Sequence, residues 1–250
     1  MNPIQIHVEH VNYSYEKSYP ILKDITFTAG AGETIGLIGA NGVGKSTLLK
    51  LLVGLHTDYE GSIRVGGLPV AKENLPDIRE KIGYVFQDAD SQLFMSRVSD
   101  DIAFAPRNYG LPEAEVRQRV QKALDMVQIS HLKDKQIYKM SGGEKKLASI
   151  ATILAMTPEA ILMDEPSIAL DPKNRRNLIH ILNECSQLKI IASHDLDMVL
   201  DTCSRVMLMA DGRIIQDGNT ETILSDKELL EDNGLELPFC MQGRKKSYFL

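Results

Sequence analysis

Residues 39–47, with the sequence GANGVGKST, combine glycine, lysine and a hydroxyl side chain in a spacing that suits phosphate binding. They match the pattern G-x-x-x-x-G-K-[ST], which begins at Gly39. Glycine lets backbone N–H groups turn inward around phosphate oxygens, and the following helix directs its positive end at the same anion. Lys45 is expected to reach the β- and γ-phosphates, and Ser46 to hold Mg²⁺. A glycine turn with a chance lysine would not explain the apolar strand before the motif and the helix pattern after it.

Two adjacent carboxylates end an apolar strand pattern, in the sequence ILMDE at 161–165. A carboxylate at the end of a buried strand near a phosphate loop can hold Mg²⁺ through water, and we expect this of Asp164. Glu165 is expected to orient and deprotonate an attacking water molecule. The competing interpretation is a polar strand end that enters a turn at Pro166. The phosphate loop elsewhere in the chain favours the catalytic interpretation.

Two further sites carry polar groups at the ends of secondary-structure patterns. His194 ends the strand pattern KIIASHD, where it can bond a γ-phosphate, although a lone histidine is more often structural. The sequence SGGEKK at 141–146 begins a helix pattern with no nucleophile or general base beside it. Ser141 and Glu144 match the capping-box pattern S-x-x-E. The glycines between them allow close backbone approach, and the helix dipole favours an anion there.

The elements that must position these residues alternate between strand and helix patterns. Apolar strand patterns lead into the phosphate loop and recur in EAILMDEP, LKIIASHD and SRVMLMADGRIIQDG, with helix patterns at 172–187 and 195–203 between them. This alternation predicts a mostly parallel sheet covered on both faces. Residues 100–157 have helical periodicity, which predicts an inserted helical part.

Composition limits the possible functions. The 250 residues are 43% hydrophobic, which is enough for a sizeable core, and the net charge is −6. An acidic chain disfavours nucleic acid as a partner. We expect no signal peptide, because the N-terminus lacks a basic region followed by an apolar stretch. The three scattered cysteines fit a reducing compartment and lack metal-ligand spacing.

Together these motifs resemble those of the ATP-binding-cassette ATPases, in the same order and over roughly residues 4–225. SGGEKK is similar to their signature motif, Gln87 in GYVFQ to their Q-loop glutamine, 167–171 to their D-loop and His194 to their switch histidine. The resemblance implies an α/β P-loop NTPase fold. Its core would have a mostly parallel sheet, an antiparallel β subdomain and an inserted α-helical subdomain.

The resemblance also implies the domain limits and the site residues. We expect one nucleotide-binding domain over 1–226, with the helical subdomain at about 89–157, and a C-terminal extension at 227–250. ATP and Mg²⁺ are the implied cofactors. The implied nucleotide-binding residues are Tyr15, Gly39, Asn41, Gly42, Gly44, Lys45, Ser46, Thr47 and Gln87. The implied catalytic residues are Glu165, His194 and Lys45, and the implied Mg²⁺ ligands are Ser46, Gln87 and Asp164. Tyr15 stands where the family has an aromatic residue that stacks on adenine; Tyr13, or a core role for Tyr15, is the alternative.

In this family the nucleotide lies between two subunits, which would explain SGGEKK. The signature glycines of one subunit would face the γ-phosphate held by the phosphate loop of the other. The residues expected to act across the dimer are Ser141, Gly142, Gly143, Glu144 and Asp171. Either a homodimer or a heterodimer with a paralogous ATPase fits this pattern. Leu147 departs from the family, because many members have arginine there.

The segment FQDADSQLFMSRVSDDIAFAPRNYGL at 86–111 resembles the energy-coupling-factor ATPases, which drive uptake of cobalt, nickel or vitamins in prokaryotes. The stretch NGLELPF favours the cobalt and nickel branch. The resemblance implies integral membrane coupling and substrate-specific subunits as partners, at the cytoplasmic face of the cell membrane. Leu93, Phe94 and Met95 are expected to line a groove for a coupling helix, with packing inside the helical subdomain as the alternative.

Two rival functions use the same phosphate loop. A cassette ATPase of repair or translation would carry long coiled coils or two cassettes in one chain, and this sequence has neither. A small-molecule kinase would leave SGGEKK and His194 unexplained.

Overall fold

The computed structural model describes residues 3–16 and 19–242. The strands are β1 Gln5–Glu16, β2 Tyr19–Gly30, β3 Thr34–Ile38, β4 Glu60–Val65, β5 Leu68–Pro69, β6 Ile82–Val85, β7 Ala160–Asp164, β8 Leu188–Ala192, β9 Arg205–Ala210 and β10 Arg213–Asn219. The α-helices are α1 Lys45–Leu52, α2 Leu75–Lys81, α3 Val98–Asn108, α4 Glu113–Met126, α5 Gly142–Met156, α6 Pro172–Glu184, α7 Leu196–Thr202, α8 Thr220–Ser225 and α9 Lys227–Asp232.

The central sheet has six strands in the order β10-β9-β3-β8-β7-β6. All neighbours pair in parallel except β10, which runs antiparallel to β9 at one edge. Strands β3, β7 and β8 are buried along their whole length, as a parallel sheet covered on both faces requires. The predicted mostly parallel sheet is confirmed.

A second sheet has four antiparallel strands in the order β2-β1-β4-β5. β1 and β2 pair with each other in antiparallel orientation, and their register shifts at several points between Val8 and Glu16. The alternating buried and exposed residues of β2 show that one face meets the core and the other meets solvent. This sheet is the antiparallel subdomain that the resemblance implied.

Two apolar layers hold the sheets and helices together. Because side chains alternate across a strand, Ile161 and Met163 of β7 join one layer while Leu162 joins the other. The first layer packs against α3 to α7, and the second lies between the two sheets and contains the buried leucines of α1. Helix α1, which follows the phosphate loop, is thereby fixed on one face of the central sheet.

The helical subdomain contains α3, α4 and α5. One face of α4 is apolar and buried, since Val116, Val120, Ala123 and Leu124 are each at most 5% exposed. The short helices α2, α8 and α9 were not predicted. No helix within residues 3–16 and 19–242 is long and apolar enough to cross a bilayer.

The chain after residue 226 packs against the main body. Asp226 caps α9, and Leu230 of that helix is fully buried in the core. Farther along, the carboxylate of Asp197 on α7 accepts hydrogen bonds from the backbone N–H groups of Phe239 (2.9 Å) and Cys240 (3.0 Å). The tail therefore crosses back to the element that follows His194.

Candidate functional site

The predicted site residues follow the carboxyl ends of four neighbouring parallel strands. The phosphate loop follows β3, His194 follows β8, Asp164 ends β7 and Gln87 follows β6. Since these strands are adjacent in the order β3-β8-β7-β6, their carboxyl ends share one edge of the sheet. Ligands of open α/β sheets bind at this edge.

The phosphate loop is compact and leaves the start of α1 free. Lys45 donates to the carbonyl oxygens of Gly39 (2.6 Å) and Ala40 (3.0 Å). Burial lowers the pKa of Lys45, and the nearby carboxylates of Glu165 and Asp164 oppose that shift. A Cβ at Gly39, where φ is +146°, would lie 2.3 Å from the Met209 carbonyl oxygen, so only glycine fits. The loop backbone is thus held close to the strand while the lysine lies folded over it.

Asp164 is buried at the end of β7 and is hydrogen-bonded to one residue of helix α1 and one of strand β6. Its Oδ1 accepts a hydrogen bond from the Ser46 hydroxyl at 2.9 Å, and its Oδ2 accepts one from the Tyr84 hydroxyl at 3.2 Å. Burial and the Asp164 charge raise the pKa of Tyr84, so this phenol stays protonated and donates. Hydroxyl, carboxylate and amide oxygens are hard ligands, and the set formed by Ser46, Asp164 and Gln87 fits Mg²⁺. Tyr84 was not predicted.

Glu165 is held by a strained backbone and by His194. Its φ of +48° lies in the left-handed region, which is uncommon for a residue with a side chain. Its backbone N–H donates to the Ala192 carbonyl at 2.9 Å, which fixes the turn after β7. Its Oε2 lies 2.7 Å from His194 Nδ1. The Glu165 side chain is 8% exposed and that of His194 is 57% exposed, and both line the cavity.

Tyr15 stands at the rim of the same cavity. It is 54% exposed, and its hydroxyl lies 3.2 Å from Thr47 Oγ1. The Tyr15 ring meets Tyr13 and His56 edge-on, at centroid distances of 5.1 and 5.3 Å. Tyr13 is buried beneath it. Of the two tyrosines, Tyr15 is therefore the one that offers a ring face to a ligand.

These residues enclose one cavity of about 590 Å³, which is large enough for a nucleotide. Its lining includes the predicted residues Tyr15, Gly39, Asn41, Gly42, Gly44, Lys45, Ser46, Thr47, Gln87, Glu165 and His194. Gly234 and Leu235 of the C-terminal tail also line it, and sequence patterns did not indicate them.

The signature residues lie apart from this cavity. The predicted capping box is confirmed: Ser141 Oγ accepts from the Glu144 N–H, and the Glu144 carboxylate accepts from the Ser141 N–H. A Cβ at Gly143 would lie 2.9 Å from the Ala169 carbonyl oxygen, so the signature turn packs tightly on the D-loop. Asp171 caps α6 by accepting from two backbone N–H groups. Their role across a dimer stays a prediction.

The predicted groove residues separate into buried and exposed members. Leu93 is 7% exposed and belongs to the core, so the alternative of plain packing holds for this residue. Phe94 is 63% exposed and meets Phe104 edge-on at a centroid distance of 4.8 Å. Successive residues of this turn point in opposite directions, which a linear pattern does not show.

Comparison with known proteins identifies the family. The sequence pattern of the ABC transporter family matches residues 22–168. A Geobacter sulfurreducens protein classed as an ABC transporter ATP-binding protein is 45% identical over 95% of this chain and 96% of its own. The energy-coupling factor transporter ATP-binding protein EcfA of Carboxydothermus hydrogenoformans is 36% identical over 96% of this chain and 89% of its own.

Solved structures agree. The structure of CbiO1 from Clostridium perfringens, described as part of the ABC transporter complex CbiONQ, superposes with a TM-score of 0.80 at 38% identity. The match covers 93% of this chain and 95% of that one. The chain therefore belongs to the ABC transporter family as an ATP-binding subunit, and its enzymatic activity is ATP hydrolysis.

Proposed function

We propose that this chain powers a prokaryotic energy-coupling-factor importer that takes up cobalt or nickel, bound at the cytoplasmic face of the cell membrane. The segment 86–111 and the stretch NGLELPF favour this branch. The similarity to EcfA and to CbiO1 supports the transporter type. A vitamin importer of the same type would keep the mechanism and change only the cargo.

The observation that carries the proposal is the exposed aromatic pair formed by Phe94 and Phe104. The turn that presents Phe94 is anchored from within, because the buried Asp101 carboxylate accepts from the N–H groups of Phe94 (2.9 Å) and Met95 (2.8 Å). A rigidly held apolar pair beside the Q-loop suits an apolar helix from a partner. We assign that helix to a membrane coupling subunit, and Met95 to the rim of its groove.

The hydrolysis chemistry is assigned to residues at the sheet edge. Glu165 would take the proton of the attacking water, and His194 would hold the Glu165 carboxylate in place and bond the γ-phosphate. Lys45 and the free amides of α1 would bind the β- and γ-phosphates. Ser46, Gln87 and Asp164 would hold Mg²⁺, which supplies positive charge to the phosphate oxygens when bound.

A second subunit would complete each site. Ser141 to Gly143 of one subunit would face the γ-phosphate bound by its partner, and Asp171 would hold the D-loop at the same interface. The partner is a second copy or a paralogous ATPase. Separation of the pair after hydrolysis would move the membrane subunits.

Affinity purification from membranes of the source organism tests the coupling surface. Wild type and a Phe94→Ala/Phe104→Ala variant are compared, with Tyr19→Ala as a control for loss of an exposed aromatic ring (71% exposed) outside the helical subdomain. We expect wild type and Tyr19→Ala to retain multi-span membrane partners and the double variant to lose them, while all three hydrolyse ATP. Equal recovery of partners with the double variant would contradict the coupling role of the pair.

Uptake measurements then decide the cargo. Cells that depend on this transporter are assayed for accumulation of cobalt, nickel and vitamins, with Glu165→Gln as the inactive control. Metal accumulation that requires wild type supports the proposal. Vitamin accumulation would reassign the branch, and an active ATPase without a membrane partner would point to a non-transport role.

A further inference from the structure

Lys146, the fifth residue of the signature helix α5, is buried, and its ammonium group is directed at the Q-loop. It is only 2% exposed. Its Nζ donates to the carbonyl oxygens of Phe86 (2.8 Å) and Gln87 (3.0 Å). A buried ammonium group is costly unless it is hydrogen-bonded, so these two bonds hold the lysine and the loop together.

A second connection joins the same two elements. The Gln92 side chain accepts from the Phe86 N–H at 3.1 Å. Its amide group donates to the Ser149 carbonyl (2.7 Å) and to Thr152 Oγ1 (2.8 Å), both on α5. The Q-loop is thus tied to α5 through both the N–H and the carbonyl of one residue, Phe86.

The neighbours of Lys146 on α5 make different contacts. Lys145 forms a salt bridge at 2.6 Å with Asp90, whose side chain is 66% exposed and which lies three residues beyond Gln87. Leu147, at the position where many family members have arginine, is buried in the core. Lys146 is therefore the lysine of this helix that bonds the backbone of Phe86 and Gln87, and its side chain is buried.

We propose that Lys146 is a positioning residue that fixes the Q-loop to the signature helix, so that Gln87 and the residues Ser141 to Gly143 move as one body. Nucleotide sensed by Gln87 in one site is then transmitted to the signature clamp facing the other site. The transmission rests on the proposed two-subunit arrangement; the link between the Q-loop and α5 is within one chain.

A matched control exists in the same molecule. Lys189 on β8 is also 2% exposed, and its ammonium group also donates to backbone carbonyls, those of Cys185 and Gln187. It lies at the amino end of its strand, away from the sheet edge that carries the site. Loss of Lys189 reports what a merely structural buried lysine contributes.

The test compares Lys146→Met, Lys146→Arg and Lys189→Met. For each we measure the thermal midpoint, binding of a fluorescent ATP analogue to the monomer, kcat, and the Hill coefficient for ATP. Lys146→Met keeps the side-chain volume and removes the donors, so we expect binding within about twofold, a roughly tenfold fall in kcat and a Hill coefficient near one. Lys146→Arg should recover most of kcat, and Lys189→Met should lose stability without changing either kinetic quantity.

The outcomes separate this inference from the proposed function. Lys146→Met that folds and keeps wild-type kcat and Hill coefficient would overturn the inference, as would an equal kinetic loss in Lys189→Met. If Lys146→Met does not fold, the same measurements are made on Gln92→Leu. This variant removes the hydrogen bonds that connect Phe86 to α5 through Gln92, and it leaves Lys146 in place. A wild-type protein that hydrolyses ATP without cooperativity and without dimer formation would instead overturn the two-subunit arrangement itself.

Discussion

Helices α1 and α5 both begin with glycine-containing turns assigned to phosphate, yet their N-termini are built differently. In the described part of the chain no side chain caps α1, whose N-cap residue Gly44 has a φ of +109°. Helix α5 has a complete capping box made by Ser141 and Glu144. The first residue of α1, Lys45, is buried in the wall of the cavity, whereas Gly142 at the start of α5 is exposed.

This difference in capping determines which backbone N–H groups each helix leaves for a ligand. Helix α1 leaves its first N–H groups for an anion, since its neighbours on the sheet edge supply the remaining walls. Helix α5 satisfies some of its own groups, and its Ser141 hydroxyl hydrogen stays available to donate. Lys135, at 2.9 Å, and the Ser141 N–H lower the pKa of Glu144, so the cap stays ionised. A site exposed in a single subunit gains stability from such a cap.

The largest expected effect is on kcat, and it comes from a change in the cavity at the start of α1. Glu165→Gln should lower kcat by about 10²- to 10⁴-fold, because the general base is lost while the fold is kept. Steady-state hydrolysis and size-exclusion chromatography with ATP check this, and an ATP-bound dimer should accumulate. Glu159→Gln, an exposed residue just before the amino end of the same strand, is the control. Normal hydrolysis by Glu165→Gln would remove its assigned role.

The α5 side is tested by Gly142→Ala. A Cβ at Gly142 would lie 3.5 Å from the Ala169 Cβ, an ordinary contact, so the subunit itself should fold unchanged. The added methyl group would keep the γ-phosphate bound by the partner subunit from approaching the start of α5. We therefore expect kcat to fall by about 10²-fold, while the affinity of the monomer for nucleotide stays unchanged.

The control for Gly142→Ala is Gly218→Ala, where the added Cβ also meets only an ordinary contact, at 3.7 Å. Gly143→Ala is less informative, since its Cβ would press on the Ala169 carbonyl of the same chain. Loss of nucleotide binding by the Gly142→Ala monomer would count against action across the dimer.

A smaller effect is expected at the rim of the α1 cavity. Tyr15→Ala should weaken ATP binding about tenfold, because stacking on a base contributes about 1–3 kcal/mol. Tyr15→Phe keeps the ring and loses the contact to Thr47, and should bind almost as wild type. Titration with a fluorescent ATP analogue measures both. Equal losses in the two variants would assign Tyr15 to positioning Thr47 rather than to stacking.

The last prediction concerns stability rather than activity, and it tests Lys146 on α5. Burial lowers the pKa of Lys146 to about 8, from an ordinary value of 10.5. Between these two pH values the unfolded chain binds more protons, so the free energy of unfolding should rise with pH there, by up to about 3 kcal/mol.

Urea denaturation of wild type and Lys146→Met at pH 6, pH 8 and pH 10 measures this contribution to the free energy of unfolding. Above pH 8 the free energy of unfolding should rise more in wild type than in Lys146→Met. Below pH 8 this difference in slope should be absent, because Lys146 is charged in both the folded and the unfolded chain. Identical pH dependence in the two proteins would show that Lys146 titrates normally.

Local patterns predicted the parts of the site that are local. The phosphate loop, the acidic end of β7 and the Ser141 capping box each depend on residues within a few positions, and the structure places them as expected. Tyr84 and Lys146 were missed because their partners lie 80 and about 60 positions away. Periodicity reports which face of an element is apolar, and it does not report which distant carbonyl or carboxylate a buried polar group meets.

The position of Gly234 and Leu235 has a practical consequence for protein engineering. A fragment ending at residue 226 carries every motif assigned to nucleotide binding and hydrolysis, yet it lacks two residues of the cavity wall and the backbone groups that Asp197 holds. The smallest fragment that encloses its own nucleotide therefore extends into the tail. Proteolytic trimming into the tail would remove part of the cavity wall and leave every motif assigned to nucleotide binding in place.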